Sequence, residues 1–159
     1  MTKMYPIIGL MIWLAVVFAA AGIGSIFTRK GLSQWYAALK KPSFNPPAWL
    51  FGPVWTMLYI LMAVAAWLVW RDKGLHAAAA PLALFAAQLA LNAAWPAIFF
   101  GLKLPGAAFV ELVILWCAIL ATAVAFARVS PVAGALMAPY ELWVSFAAIL
   151  NFTIWRLNR

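Results

Sequence analysis

The sequence predicts an all-α integral membrane protein, a five-transmembrane-helix bundle with a long loop between helices 1 and 2. Three observations predict it. Of the 159 residues, 69% are hydrophobic and only 9% charged, whereas an average soluble domain is about 25% charged. So few charges cannot coat a water-facing sphere of this size, which excludes a soluble globular enzyme, and a mean hydropathy of +1.02 excludes disorder. Second, the charges fall at membrane-sized intervals. Third, Ala and Leu dominate the intervening segments rather than alternating β-branched residues, so the spans are helices and not strands.

The elements follow in order. Between Lys3 and Arg29 lie 25 uncharged residues, and between Lys41 and Arg71 lie 29. His76 to Lys103 encloses 26, Lys103 to Arg128 encloses 24 with one Glu, and Arg128 to Arg156 encloses 27 with another. Crossing roughly 30 Å of hydrocarbon takes about 20 apolar residues. The expected spans are 5–27, 46–70, 77–101, 105–127 and 131–155, with a loop over 28–45, all within a single domain covering 1–159. The first span is too long, and lacks the small-residue cleavage pattern, for a removable signal peptide. Asn45 is placed to cap the second helix, with Pro46 and Pro47 in its first turn. Pro105 opens the fourth helix, and Ser130 with Pro131 opens the fifth. Pro53, Pro96 and Pro139 fall further in and should kink or unwind their helices, which a bilayer tolerates where neighbouring helices or a polar cavity satisfy the freed carbonyls.

Five spans put the termini on opposite faces. The N-terminal face carries Lys3, Arg71, Lys73 and Arg128; the other carries Arg29, Lys30, Lys40, Lys41, Lys103, Arg156 and Arg159. This asymmetry predicts the N-terminus outside and the C-terminus in the cytoplasm. The net charge of +8 is mostly membrane-edge basicity suited to anionic membrane lipids. Basic residues split across two faces of a membrane are a poor nucleic-acid surface, so no nucleic-acid partner is expected. One Cys (Cys117) and one His (His76) cannot make a disulfide framework, a zinc site or a covalent haem motif. His76, beside Arg71, Asp72 and Lys73, is expected as a solvated loop residue, and Cys117 as a buried or lipid-facing hydrophobe.

Polar and aromatic residues at membrane depth mark the candidate site. In the 28–45 loop, Ser33 could cap a short helical turn that sets Trp35 or Tyr36 and Leu39 on one side. Such a turn is either a lid over a cavity or an interfacial aromatic anchor. Trp35, Trp49, Trp70 and Trp155 fall near helix ends, whereas Trp55, Trp95, Trp116 and Trp143 lie deeper. A deep indole needs a partner for its N–H, so these should face the bundle interior. Gln88 and Asn92 share a face of helix 3, with Trp95 three residues on. Ser145 and Asn151 lie on helix 5 with Trp143. Interhelical hydrogen-bonding glue is the alternative role for all of them. Glu111 lies within snorkelling range of the interface. Glu141, near the middle of helix 5, should be protonated or bonded to neighbouring helices. On helix 3, Ala79, Ala83 and Ala87, and one face over Ala86, Ala90 and Ala94, form small-residue ladders. They predict a homodimer seam, packing within the bundle being the alternative.

Several of these segments together resemble one family. Trp35-Tyr36-Ala-Ala-Leu39-Lys40-Lys41-Pro42, Asn45-Pro46-Pro47-Ala-Trp49 and Gly52-Pro53-Val54-Trp55-Thr56-Met-Leu58-Tyr59 are similar to the loop 1 and helix 2 signature of the TspO/MBR family of tryptophan-rich sensory proteins and translocator proteins. Gln88-Leu-Ala-Leu-Asn92-Ala-Ala-Trp95-Pro96 resembles its helix 3. Pro139-Tyr140-Glu-Leu-Trp143 and Leu150-Asn151-Phe152-Thr-Ile-Trp155-Arg156 resemble its helix 5. The resemblance runs in order from residue 28 to 158. It implies a five-helix bundle, commonly dimeric, whose pocket beneath loop 1 binds porphyrins and synthetic benzodiazepine-type ligands. Matching positions put Trp55, Tyr59, Asn92, Trp95, Trp143, Ala147 and Leu150 on the pocket, with Trp35 and Tyr36 in the lid. Phe152 stands where the sterol motif of animal members needs a Tyr, so sterol binding is not expected. Ala108 replaces a Trp of animal members, which should leave that wall roomier.

The expected ligand is a tetrapyrrole, protoporphyrin IX or haem, with no obligatory cofactor and no metal site. Deep indoles can stack on the plate, and Arg29, Lys30, Lys40 and Lys41 at the mouth can meet its carboxylates. Three functions fit: a tetrapyrrole-binding receptor or sensor regulating tetrapyrrole metabolism or a stress response, a transmembrane porphyrin carrier, or a light- and oxygen-dependent porphyrin-degrading catalyst using Trp55 and Trp143. The absence of an inverted repeat weakens the second. The absence of an acid–base pair or nucleophile weakens the third. With no organelle presequence, a bacterial cell membrane is the expected location.

Overall fold

The computed structural model describes residues 4–31 and 35–159. Among these the chain is all helix and turn, without strands, and five spans are long and apolar enough to cross a membrane. The predicted five-helix architecture is the one observed. The elements are α1 (Met4–Gly31), α2 (Ala48–Ala77), α3 (Ala79–Pro96) with a π-helical extension (Ala97–Gly101), α4 (Pro105–Ala127), α5 (Pro131–Leu136) and α6 (Ala138–Leu157). The last two together make the fifth span, Pro131–Leu157.

Proline sets most of the helix boundaries. Pro105 and Pro131 sit in the first turns of α4 and α5, where a missing N–H leaves nothing unpaired. Ser130 caps α5 by accepting from the Ala133 N–H at 3.4 Å. Asn45, in contrast, does not cap α2. Pro46 precedes a proline and is thereby kept out of the α region, so it cannot open the helix after an Asn45 cap; Pro47 is also extended (φ −63°, ψ 143°) and the helix begins only at Ala48. The asparagine is thereby released for a role in the loop.

The interior prolines act differently from one another. After Pro96 the helix widens, and the Leu102 N–H reaches back five residues to the Ala97 carbonyl at 2.8 Å. Before Pro139 the fifth span breaks: α5 stops at Leu136 and α6 restarts at Ala138. Pro53 does not break α2, whose one non-helical residue is Gly74 (φ 71°, ψ 171°). Pro53 lies in the second turn, so its missing N–H forfeits a single helical bond. The helix then outruns the expected boundary at residue 70, and Gly74 turns the chain directly into α3. His76 is exposed beside that turn, as a solvated residue should be.

The break at Met137 decides the shape of the interior. α2 packs on α1, α1 on α3, α3 on α4, and α4 on both halves of the fifth span. α5 also closes firmly on α2, whereas α6 meets α2 at few positions. The bundle is therefore shut at the end bearing α5, where Met62, Ala63, Ala65, Ala66, Val69, Ala133 and Met137 are wholly buried. Toward the other end the backbones of α2 and α6 stand further apart and meet through aromatic side chains, Phe51 with Trp143 and Trp55 with Tyr140. Gly134 makes the closed end possible, since a Cβ there would lie 2.5 Å from the Ala127 Cβ.

Candidate functional site

The site lies where α2 and α6 part, and its floor is a polar chain of three residues. The Tyr59 hydroxyl donates to Asn92 Oδ1 at 2.9 Å, and Asn92 Nδ2 donates to the Tyr140 hydroxyl at 2.8 Å. Asn92 and Tyr140 are buried. These bonds tie α2, α3 and α6 together, and each buried polar group has its partner. A second chain stands beside it. The Trp95 indole N–H donates to Asn151 Oδ1 at 3.1 Å, and Asn151 Nδ2 donates to the Pro105 carbonyl at 2.7 Å. Trp116 donates to Ser145 Oγ at 2.8 Å. Asn151, Ser145, Trp95 and Trp116 thus serve as the interhelical glue that was the alternative reading of these residues.

Trp55 and Trp143 are different. Both are half-buried, and none of the hydrogen bonds among the described residues uses either indole N–H. Trp55 stacks obliquely on Tyr59, with ring centroids 5.4 Å apart, and meets Tyr140 at 6.2 Å. Across the gap, Trp143 contacts Phe51 of α2 at 5.9 Å and Phe146 at 5.5 Å. The facing sides of both helices are therefore aromatic, and neither indole N–H has an acceptor among the described residues. Ala147 packs beside Trp143 against the main core, and Leu150 is buried in a second cluster with Phe99, Phe100, Ala108 and Ile154. Trp95 touches both clusters and stacks on Phe99 at 4.8 Å.

α1 runs on to Gly31, past the expected start of the loop at residue 28, and the described part of the loop, from Trp35, lies over this second cluster. Ser33 and Gln34 lie outside the described residues. From Trp35 onward the chain makes the expected helical turn, and Trp35, Tyr36 and Leu39 all pack on the cluster. Trp35 meets Phe99 edge-on at 5.5 Å, and Tyr36 meets Phe100 at 5.6 Å. The turn is therefore seated on the bundle. Tyr36 donates to Asn45 Oδ1 at 3.0 Å. Burial pushes its phenol pKa above the ordinary value, against the opposing pull of the Asn45 hydrogen bond. Asn158 clamps the lid from behind, accepting from the Lys40 N–H and donating to the Lys40 carbonyl, both at 2.9 Å.

Several sequence expectations need correction. The four basic residues expected together at the mouth are dispersed. Lys41 folds onto the Tyr36 ring at 4.7 Å and donates to the Ala37 and Leu39 carbonyls. Arg29 lies along α1 against Ser25, and Lys30 lines a groove elsewhere. Glu111 does not snorkel to the interface but is buried, and neither its oxygens nor those of Glu141 have a partner among the described residues. Ala108 is buried in the second cluster. Trp49, at 71% exposed, and the exposed Cys117 face outward. Trp13 packs edge-on to Phe85, while Trp67 donates to the Pro6 carbonyl. Sequence reasoning did not select Tyr140, Phe51, Phe99 or Phe146 as site residues. For Tyr140 a signal existed, since a tyrosine at membrane depth requires a hydrogen-bond partner.

The TspO/MBR family model matches residues 11–156. The chain is 46% identical over 156 residues to "Tryptophan-rich protein TspO" of Chlorobaculum tepidum, covering 96% of this chain and 97% of that one. It is 46% identical over 138 residues to the human "Translocator protein", covering 86% and 82%. It is 43% identical over 148 residues to "Protein CrtK" of Rhodobacter capsulatus, covering 90% and 89%. A match over nearly the whole chain, joined to five membrane-spanning helices, makes this protein a member of the TspO/MBR family.

Proposed function

We propose that the protein is a membrane receptor that binds tetrapyrroles in the cleft between α2 and α6, beneath the 28–45 lid, and so regulates tetrapyrrole metabolism or a stress response. The observation that carries this reading is the pair of half-buried indoles, Trp55 and Trp143, which face each other's helices and whose N–H groups have no acceptor among the described residues. A planar aromatic ligand entering between them gains stacking on both walls and two hydrogen-bond donors. The polar floor of Tyr59, Asn92 and Tyr140 is internally satisfied, so it shapes the cleft rather than demanding a charged guest. His76 lies at the opposite end of the bundle and Cys117 faces outward. The cleft thus offers no strong axial ligand, and protoporphyrin IX should bind about as well as haem. The uncovered small residues of α3 support a homodimer, and the excess of basic residues on the C-terminal face supports a cytoplasmic C-terminus in a bacterial cell membrane.

The test is titration of the detergent-solubilised protein with protoporphyrin IX in the dark, followed by tryptophan quenching. Trp55→Phe and Trp143→Phe should each weaken binding about fivefold, the ~1 kcal/mol expected for a smaller stacking face and a lost donor. Quenching that never saturates, or variants that bind as the wild type does, would remove the cleft assignment. Illumination of the same samples adds a second readout, because a new tetrapyrrole product formed only by the wild type would make the protein a catalyst.

A further inference from the structure

A second concavity is lined in part by Phe100, whose ring the lid's Tyr36 also meets. It is a groove of about 560 Å³ where the end of α1 meets the π-helical turn and the α3–α4 connection. Its floor is apolar, with Phe27, Phe100 and Leu102, and its rim carries Lys30 and Lys103. Close backbone approach builds it. A Cβ on Gly101 would lie 3.1 Å from the Phe27 ring, and one on Gly31 would lie 2.6 Å from the Phe100 Cβ. Both lysines are exposed, and among the described residues neither forms an ion pair. No acidic side chain lies on this face: Asp72 is on the opposite one, and Glu111 and Glu141 lie within the spans.

Lys103 shows a second, independent feature. It is the one described non-glycine residue with positive φ, at 59°, a left-handed conformation that is unfavourable for a side-chain-bearing residue. Glycine would relieve that strain, yet a lysine stands there, on the rim beside Lys30. Strain kept at a surface position directs attention to what its side chain does. The carbonyl ends of α1 and of the α3 extension point to the same rim and offset part of its charge, at most about half a unit each. Two ammonium groups therefore leave the rim net positive.

We infer that this groove is a binding site for one anionic phospholipid, with the phosphate between Lys30 and Lys103 and the upper acyl chain on Phe27 and Leu102. The apolar floor argues for a lipid. In the turn before Phe27 on α1, Ile23 and Ile26 are 55% and 49% exposed and continue the apolar surface below the groove. A basic pocket between transmembrane helices at a membrane edge is the arrangement that holds such headgroups. The inference is independent of what the Trp55–Trp143 cleft binds.

The test is native mass spectrometry of the full chain released from membranes of equal phosphatidylglycerol and phosphatidylcholine. The wild type should retain one phosphatidylglycerol in preference to phosphatidylcholine. Lys30→Ala/Lys103→Ala should lower that retention about thirtyfold, the equivalent of ~1 kcal/mol per lysine. Lys103→Gly, which relieves the backbone strain, should stay folded by thermal melting and still lose the lipid. Arg156→Gln/Arg159→Gln removes two charges from the same face and should leave retention intact. Equal losses in the two double variants would show general surface charge in place of a site. Equal retention of the two lipids, unchanged retention after loss of the lysines, or displacement by millimolar glycerol phosphate would each overturn the proposal.

Discussion

Asn92 carries more of the site than any other single residue, because it both accepts from Tyr59 and donates to Tyr140. Its importance was legible in the sequence: an amide in an apolar span must find partners or leave an expensive orphan. Replacing it by Leu removes both bonds and strands two hydroxyls. Interhelical bonds in membranes are worth about 0.6–2 kcal/mol each. We therefore expect Asn92→Leu to lower thermal stability in detergent by roughly 1–3 kcal/mol, and Tyr140→Phe to cost less. Adding Tyr140→Phe to Asn92→Leu should cost little more, which a double-mutant cycle would check. Tyr36 gives a pH signature. Its phenol pKa is raised in the folded protein above the ordinary value of 10.0, chiefly by burial. Above pH 10 the unfolded chain thus releases that proton more readily than the folded one, and the folded state binds more protons. Its contribution is whole below pH 10 and is lost as pH rises through the folded value. The tyrosinate absorbance difference between wild type and Tyr36→Phe should rise with a midpoint above 10; a midpoint at or below 10 would mean an exposed phenol.

Among the elements, the fifth span matters most, because its break separates the closed end of the bundle from the open one. Pro139→Ala would restore the missing N–H and allow α5 and α6 to join as one helix. A straighter helix would narrow the gap to α2. The expected outcome is unchanged or higher thermal stability with weaker protoporphyrin binding, measured on the same sample. Gly134→Ala acts at the other end: its Cβ would fall within 3 Å of Ala127 backbone and side chain. We expect it to cost about 1–3 kcal/mol, as overpacking does. The sequence marks Pro96 and Pro139 as places where helices yield. It does not distinguish widening after Pro96 from rupture before Pro139, since each depends on which neighbours take up the freed carbonyls. Asn45 shows the same limit. Its type suits a cap, but the two prolines after it hold the chain extended and hand its oxygen to Tyr36.

In the whole molecule, α3 leaves an uncovered face. Ala79, Ala83, Ala86, Ala87 and Ala90 are exposed in the single chain, while Gln88, Leu89 and Asn92 turn inward. Such a face lets two helices approach closely. If it is the seam of a homodimer, Ala83→Leu/Ala87→Leu should shift the mass measured by light scattering in detergent from dimer to monomer. Each subunit should melt as before, because neither position packs within the bundle. An unchanged mass would place any dimer contact elsewhere.

The number of helices, their membrane character, the polar face of α3 and the aromatic loop were determined by the sequence alone, because hydrocarbon penalises every charge and every unpaired polar group. Only the tertiary structure decided which tryptophans are spent. Trp55, Trp95, Trp116 and Trp143 share the same depth and chemistry, but whether an acceptor such as Asn151 or Ser145 stands opposite depends on how the helices cross. The basic residues divide for the same reason. Lys30 and Lys41 lie eleven residues apart in the chain, yet Lys41 folds onto the Tyr36 ring and Lys30 lines an outer groove, because one sits on the returning loop and the other at a helix end.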